Sequence, residues 1–240
     1  HRLDRHENRL RPARGEGAAG RARAVEHVAD HGHGVHLKLE QRREHHGVER
    51  VGVQDQMHAA HGGFNRFDFS EDVNRITPMG LSVDDLNEFS GWMVLVYTGR
   101  KRHASEVLDE QMDNTVGGAV DAELADMKAL VDEAEQVIKN AGTAADIAPG
   151  LAPLLADSWV LKRRLSARIS DPEIDNLYDS GIEAGALAGK LCGAGGGGFL
   201  LMIVPPDRRA GFLEAMGRRR CVDFGIDSHG STIFRAGAAA

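Results

Sequence analysis

Six consecutive positions, Gly193, Ala194, Gly195, Gly196, Gly197 and Gly198, hold five glycines. With no Cβ in the way, backbone N–H groups can converge on an anion, so the run can cradle a phosphate. It can equally be a tight crossing from helix to strand that needs small residues, and composition leaves both readings open. Order separates the known phosphate loops. Gly193, Gly195 and Gly198 fit G-x-G-x-x-G, but a dinucleotide loop follows a strand and opens a helix, whereas here a helical pattern precedes and the apolar run FLLMIV, Phe199–Val204, follows. A Walker loop needs Lys-Ser/Thr behind its glycines, and Lys190 lies ahead of them. Asp223, Phe224 and Gly225 spell the DFG of protein kinases without an HRD loop between them and the glycines, so the triplet reads as chance.

Other residues could act on the same ligand. Asp55, between Gln54 and Gln56, is a carboxylate that could orient a hydroxyl and take its proton; taken bare, such a residue is more often a helix cap or a solvated loop residue. Gly62 and Gly63 suit a backbone turn. Arg102 could clamp a phosphate with its guanidinium or lie solvated in a loop. Lys190 could meet a phosphate as a point charge or complement a helix dipole. Cys192 reads as a small packing residue, and Trp159 and Tyr178 as core or interdomain packing. His31, His33, His36, His45 and His46 sit on an unpatterned basic stretch and read as a solvated run, so no metal site is assigned.

The elements that must position these groups follow from periodicity. GGFNRFDFS, Gly62–Ser70, ends in the alternation of a strand, and WMVLVYTG, Trp92–Gly99, is a buried strand stopped by Gly99. Val120, Leu124, Met127, Val131, Ala134, Val137 and Ile138 keep helical spacing up to Asn140 and Gly142. A second helix is expected from about Leu151 through Trp159 to Ile169, and a third opens at Asp171 with Pro172 in its first turn. After the strand at Phe199–Val204, a helix over 207–219 and short strands at Val222–Ile226 and Ser231–Phe234 complete the pattern. Helices interleaved with few strands predict α+β layers.

The chain has 240 residues, 42% apolar and 27% charged, enough for one sizeable core or two modest ones. Its net charge of −7 argues against a general nucleic-acid binder. No run of 18 apolar residues suggests a membrane span, two cysteines are too few for a disulfide framework, and a cytoplasmic location is expected. Residues 1–50 differ from the rest. They carry eleven basic and eight acidic residues and eight of the twelve histidines, with no Phe, Trp, Tyr, Ile or Met. Residues 1–47 are therefore expected to form no core of their own, and their Arg, Gly, Ala and His bias is what a GC-rich gene gives when read out of frame.

Three blocks carry a resemblance: VGVQDQMHAAHGGFN at Val51–Asn65, LVYTGRKRHASEVLDEQ at Leu95–Gln111, and the stretch from Leu161 to Leu201 that contains KLCGAGGGGFLL. They resemble the GHMP kinases, the superfamily of galactokinase, homoserine kinase and mevalonate kinase, and within it the D-glycero-D-manno-heptose 7-phosphate kinases. The resemblance covers most of residues 48–235. It implies a two-domain α+β fold, with a ribosomal-protein-S5-like N-terminal domain, a ferredoxin-like C-terminal domain and the nucleotide between them. On that footing 48–90 is the remnant of the N-terminal domain and 91–240 the C-terminal domain. Asp55 matches the catalytic aspartate, Gly193 to Gly198 a loop for ATP phosphates, and Gln54, Gly62, Gly63 and Arg102 the sugar-phosphate side. ATP and Mg2+ are the implied cofactors, and the implied partner is a small sugar phosphate rather than nucleic acid or membrane, with the oligomeric state open.

This chain departs from the family pattern before Val48, where neither the sugar-binding motif nor the central Gly/Ser-rich phosphate loop is found in residues 1–50. The leading expectation is an ATP-dependent kinase acting on the anomeric hydroxyl of D-glycero-D-manno-heptose 7-phosphate. The alternatives are another small-molecule kinase of the superfamily, such as a galactokinase-like sugar kinase, and an inactive remnant lacking the ATP loop.

Overall fold

A computed structural model describes residues 53–70, 73–100 and 104–232. The expectations for residues 1–47 therefore lie outside the described residues. Two short helices and a hairpin come first: α1 Gln54–His61, β1 Asn65–Asp68, β2 Arg75–Pro78 and α2 Val83–Gly91. The hairpin is antiparallel, with Asn65 opposite Pro78 and Asp68 opposite Arg75. Helix α2 starts where Ser82 and Asp85 form a reciprocal capping box, which satisfies two otherwise unpaired amides, and it buries Leu86 and Phe89.

The remaining elements are β3 Met93–Tyr97, α3 Ala104–Val116, α4 Asp121–Asn140, α5 Ala144–Arg164, α6 Pro172–Glu183, β4 Ala188–Leu191, β5 Phe199–Ile203, α7 Arg209–Met216 and β6 Cys221–Val222. Their four strands form one antiparallel sheet in the order β4-β5-β3-β6. In chain order the first strand lies between the third and the fourth, and the second lies at an edge, which is the strand order of a ferredoxin-like sheet. The α+β expectation holds.

Period-two alternation divides the sheet between two cores. Val94, Val96, Leu191, Leu200 and Met202 face one cluster with Val107, Trp159, Ile174 and Phe212. Met93, Ala188 and Ile203 face the other, with Phe89, Ile138, Ile147, Ala148 and Ala152. The second cluster also receives Phe64, Met79 and Leu81, so the N-terminal hairpin region is packed onto the sheet layer rather than standing apart. Arg66 on β1 adds a polar tie across the same junction, bonding Asp132 at 2.6 Å and Glu135 at 2.5 Å on α4 as well as Asp68 on its own strand. With three carboxylates around it, its guanidinium is held charged more strongly than usual, first by Asp68 and then by Asp132 and Glu135.

Several boundaries differ from the sequence reading. Helix α5 begins at Ala144, not near Leu151, and runs through Pro149 and Pro153 to Arg164. A capping box of Thr143 and Asp146 starts it early, and burial of Ile147, Ala148 and Ala152 offsets the amide bonds that the prolines cannot make. Helix α7 is shorter than expected and is followed by a 3-10 turn at Arg218–Arg220. The strand expected over 222–226 shrinks to β6, and Ser231 is not in a strand. Trp159 is fully enclosed with Tyr178 packed near it, their ring centroids 6.2 Å apart, as expected.

Candidate functional site

The glycine run is the connection of a β-hairpin, which corrects the helix-to-strand reading. Strand β4 enters it, β5 leaves it, and Cys192 N–H donates to Phe199 O at 2.8 Å to close its base. Lys190 therefore lies on a strand, not at a helix end, and its Nζ turns back to Ser158 Oγ on α5 at 2.5 Å. Cys192 is exposed rather than packed.

The surrounding chain grips the loop at several points. Gly196 N–H donates to Ile169 O at 2.8 Å, and Gly198 N–H donates to Arg100 O at 3.2 Å. Gly198 O in turn accepts from both the amide and the hydroxyl of Thr98, at 2.9 and 3.0 Å. Gln111 on α3 donates its Nε2 to Ala194 O at 3.0 Å. Gly195 has φ +118°, and a Cβ there would stand 2.9 Å from Ile169 Cα. Among the described residues, the amides of Gly193, Ala194, Gly195 and Gly197 have no hydrogen-bond partner. Four unpaired donors in five positions, in a loop that a side chain would fill, fit an anion such as the phosphates of ATP.

Two lysines lie beneath the hairpin. Lys162, on the buried side of α5 and 8% exposed, donates to Leu191 O at 2.8 Å and Gly193 O at 2.5 Å. Burial and the neighbouring Lys190 bring its pKa down to about 8. Lys190 is shifted down as well, by burial. Sequence reasoning missed Lys162 and Gln111. The available signal was the stripe Ala148, Ala152, Leu155, Trp159 and Lys162, where a cation occupies an apolar helix face.

The other expected site residues lie on and just beyond α1. Gln54 and Asp55 are exposed in its first turn, where a carboxylate complements the helix dipole. Neither side chain is hydrogen-bonded to the glycine hairpin among the described residues. Gly62 and Gly63, with φ of +64° and +69°, make the turn that leaves α1. Arg102 lies outside the described residues.

That turn is clasped by residues 227–231. Gly63 N–H donates to Asp227 O at 2.6 Å and Ser231 N–H to Ala60 O at 3.2 Å. A Cβ on Gly230 would lie 2.5 Å from Ala60 O, and its φ is +65°. Gly230→Ala is therefore expected to release the clasp, lowering stability by about 2 kcal/mol and speeding amide exchange at Gly63 and Ser231. Unchanged exchange at both amides would show that the close approach is not needed.

Among the described residues no three His, Cys, Asp or Glu side chains gather where they could hold a metal ion. No helix among them is long and apolar enough to cross a membrane.

Residues 144–223 match the family described as GHMP kinases C terminal. The chain is 30% identical over 187 residues to the D-glycero-alpha-D-manno-heptose 7-phosphate kinase of Campylobacter jejuni subsp. jejuni serotype O:2, a match covering 77% of this chain and 54% of that protein. A crystal structure from Campylobacter jejuni assigned as a sugar kinase aligns with a TM-score of 0.52 at 26% identity, covering 75% of this chain and 50% of that one. L. major mevalonate kinase, in complex with R-mevalonate, aligns with a TM-score of 0.57 at 18% identity over 79% of this chain and 55% of its own, a likeness of fold. The chain spans about half the length of these relatives. By sequence over residues 144–223, the chain contains the C-terminal domain of the GHMP kinases.

Proposed function

We propose that the chain serves ATP-dependent phosphorylation of a sugar phosphate, with the anomeric hydroxyl of D-glycero-D-manno-heptose 7-phosphate as acceptor. The observation that carries this reading is the hairpin with four unpaired amides inside a matched kinase domain. The heptose substrate is supported by the name of the 30% identical relative. A division at residue 90, with 48–90 as the remnant of an N-terminal domain and 91–240 as the C-terminal one, is supported by the sheet's first strand at Met93.

In this reading the amides around Ala194 and Gly195 hold phosphate oxygens, where fixed dipoles need no reorganisation as negative charge moves during transfer. Asp55 orients the anomeric hydroxyl and accepts its proton, Gln54 and the turn at Gly62 and Gly63 shape the sugar side, and Arg102 meets the 7-phosphate. ATP supplies the transferred phosphoryl group. Mg2+ belongs to the reading only through the family.

The test is ATP consumption by the full chain with heptose 7-phosphate, with galactose, and with no acceptor. Turnover that depends on heptose 7-phosphate is expected, and Asp55→Asn is expected to lower kcat by about 10²- to 10⁴-fold. Equal turnover in the variant would remove Asp55 from the chemistry, and dependence on galactose would move the reading to a galactokinase-like enzyme. If ATP neither turns over nor raises the melting temperature, as a ligand of the folded state must, the chain is an inactive remnant.

A further inference from the structure

We propose that Lys162 and Gln111 are positioning residues that turn the amides of Ala194 and Gly195 outward from the glycine hairpin, making those two amides the anion-binding point. The inference rests on the phosphate-site reading given above. A trans peptide is planar, with its C=O and N–H pointing in opposite directions. Lys162 holds Gly193 O from the α5 side at 2.5 Å, so the Ala194 N–H of the same peptide points away from α5. Gln111 holds Ala194 O from α3 at 3.0 Å, so the Gly195 N–H points away from α3.

The backbone around Ala194 fits this arrangement. Gly193 and Gly195 have positive φ, +64° and +118°, while among the described residues no residue other than glycine does, so Ala194 takes the opposite sign between them. Alternation of this kind brings successive amides onto one concave face, a nest for an anion. The amides of Gly196 and Gly198 are occupied by Ile169 O and Arg100 O and do not compete. Those of Gly193 and Gly197 remain unpaired, but among the described residues no side chain fixes the carbonyl of either peptide.

Charge supplies a second, independent observation. Lys162 is a buried ammonium with only carbonyl partners, and among the described residues no carboxylate pairs with it. Lys190 on β4 adds a second cation nearby. An uncompensated buried charge is costly, and an anion seated on the outer face of the Gly193–Ala194 peptide would supply the missing counter-charge through a low-dielectric layer. The chemical class of the ligand is therefore an anion, such as the phosphates of the proposed ATP, rather than a neutral sugar.

The experiment is calorimetric titration of the full chain with sodium pyrophosphate, repeated with Lys162→Met and Gln111→Leu, beside amide NMR spectra of each protein. Loss of a charge-assisted contact is expected to weaken binding about tenfold or more in Lys162→Met. Gln111→Leu, which leaves the charge in place, is expected to weaken it about fivefold. In the wild type, Ala194 and Gly195 are expected to be the amides that shift most. Binding by the wild type with unchanged affinity in both variants overturns the inference while sparing the phosphate-site reading, even if Lys162→Met melts earlier. Absence of pyrophosphate binding in the wild type removes the phosphate site itself, and the inference with it. Should Lys162→Met fail to fold, the amide shifts and Gln111→Leu decide alone.

Discussion

Gly195→Ala is expected to lower the unfolding free energy by about 2–4 kcal/mol and to abolish pyrophosphate binding. Gly193→Ala, two positions earlier, is expected to lower it by only about 1 kcal/mol. The same methyl group is added in each case, and the difference lies in what it meets. At Gly193, with φ +64°, a Cβ has nothing within 4 Å, so only the intrinsic penalty of the left-handed region applies. At Gly195, φ is +118°, outside the region that L side chains visit, and the Cβ would meet Ile169 Cα at 2.9 Å and Ile169 Cβ at 3.2 Å. Ile169 cannot yield easily. Its side chain is fully buried in the core cluster of Trp159 and Phe212, and its carbonyl accepts the Gly196 amide. Relief must therefore come from the hairpin, which would lift off Ile169 and carry the Ala194 and Gly195 amides out of register. Urea unfolding of both variants, with pyrophosphate titration on each, measures the contrast. Equal losses of stability would mean that the glycines serve only the turn and not the close contact with the core.

Much of the sheet was legible because its central strands are buried on both faces. WMVLVYTG and FLLMIV are continuous apolar runs, and they became β3 and β5, paired from Met93 with Ile203 to Tyr97 with Phe199. The start of α6 was equally plain, since Asp171 accepts from the amides of Glu173 and Ile174 while Pro172 needs no donor of its own. Strand β4 was not legible. Ala188, Gly189, Lys190 and Leu191 show no strand propensity; they pair only because α5 covers them on one side and β5 bonds them on the other. Missing β4 turned a hairpin into an apparent helix-to-strand crossing, and it placed Lys190 at a helix end.

The site divides along the same line. Its glycines announce themselves by type, because only glycine accepts the loop's dihedral angles and clearances. The residues that orient the loop do not, since Lys162 and Gln111 act on carbonyls 31 and 83 positions away in the chain. No local pattern encodes those separations. Asp55 differs again: its proposed role came from the resemblance of its flanking residues, and its exposed place in the first turn of α1 is also what an ordinary helix-start carboxylate would have.

Lys162 also gives the domain a stability that rises with pH in the alkaline range. Its ammonium loses its proton in the folded chain at about 8, against an ordinary 10.5. Between those values the unfolded chain binds more protons than the folded one, so the unfolding free energy increases as pH is raised through that window. Below about pH 8 both states carry the charge, and the folded state bears the full cost of burying it. The difference between those two values corresponds to about 3 kcal/mol. Lys190 lowers the Lys162 value and Cys192 raises it, so both neighbours shape the window without reversing its sign. Lys162→Met removes the titrating group. The stability of the wild type relative to this variant is therefore expected to climb by about 3 kcal/mol from pH 7.5 to 10.5. Urea melts of both proteins across that range provide the measurement. Parallel curves would place the Lys162 pKa at its ordinary value, and the ammonium would then be solvated rather than buried beneath the hairpin. The same titration bears on ligand binding, because a neutral amine no longer lends charge to the Gly193–Ala194 peptide. Pyrophosphate affinity is thus expected to fall over the pH interval in which the folded domain becomes more stable, a divergence that a purely structural lysine would not produce.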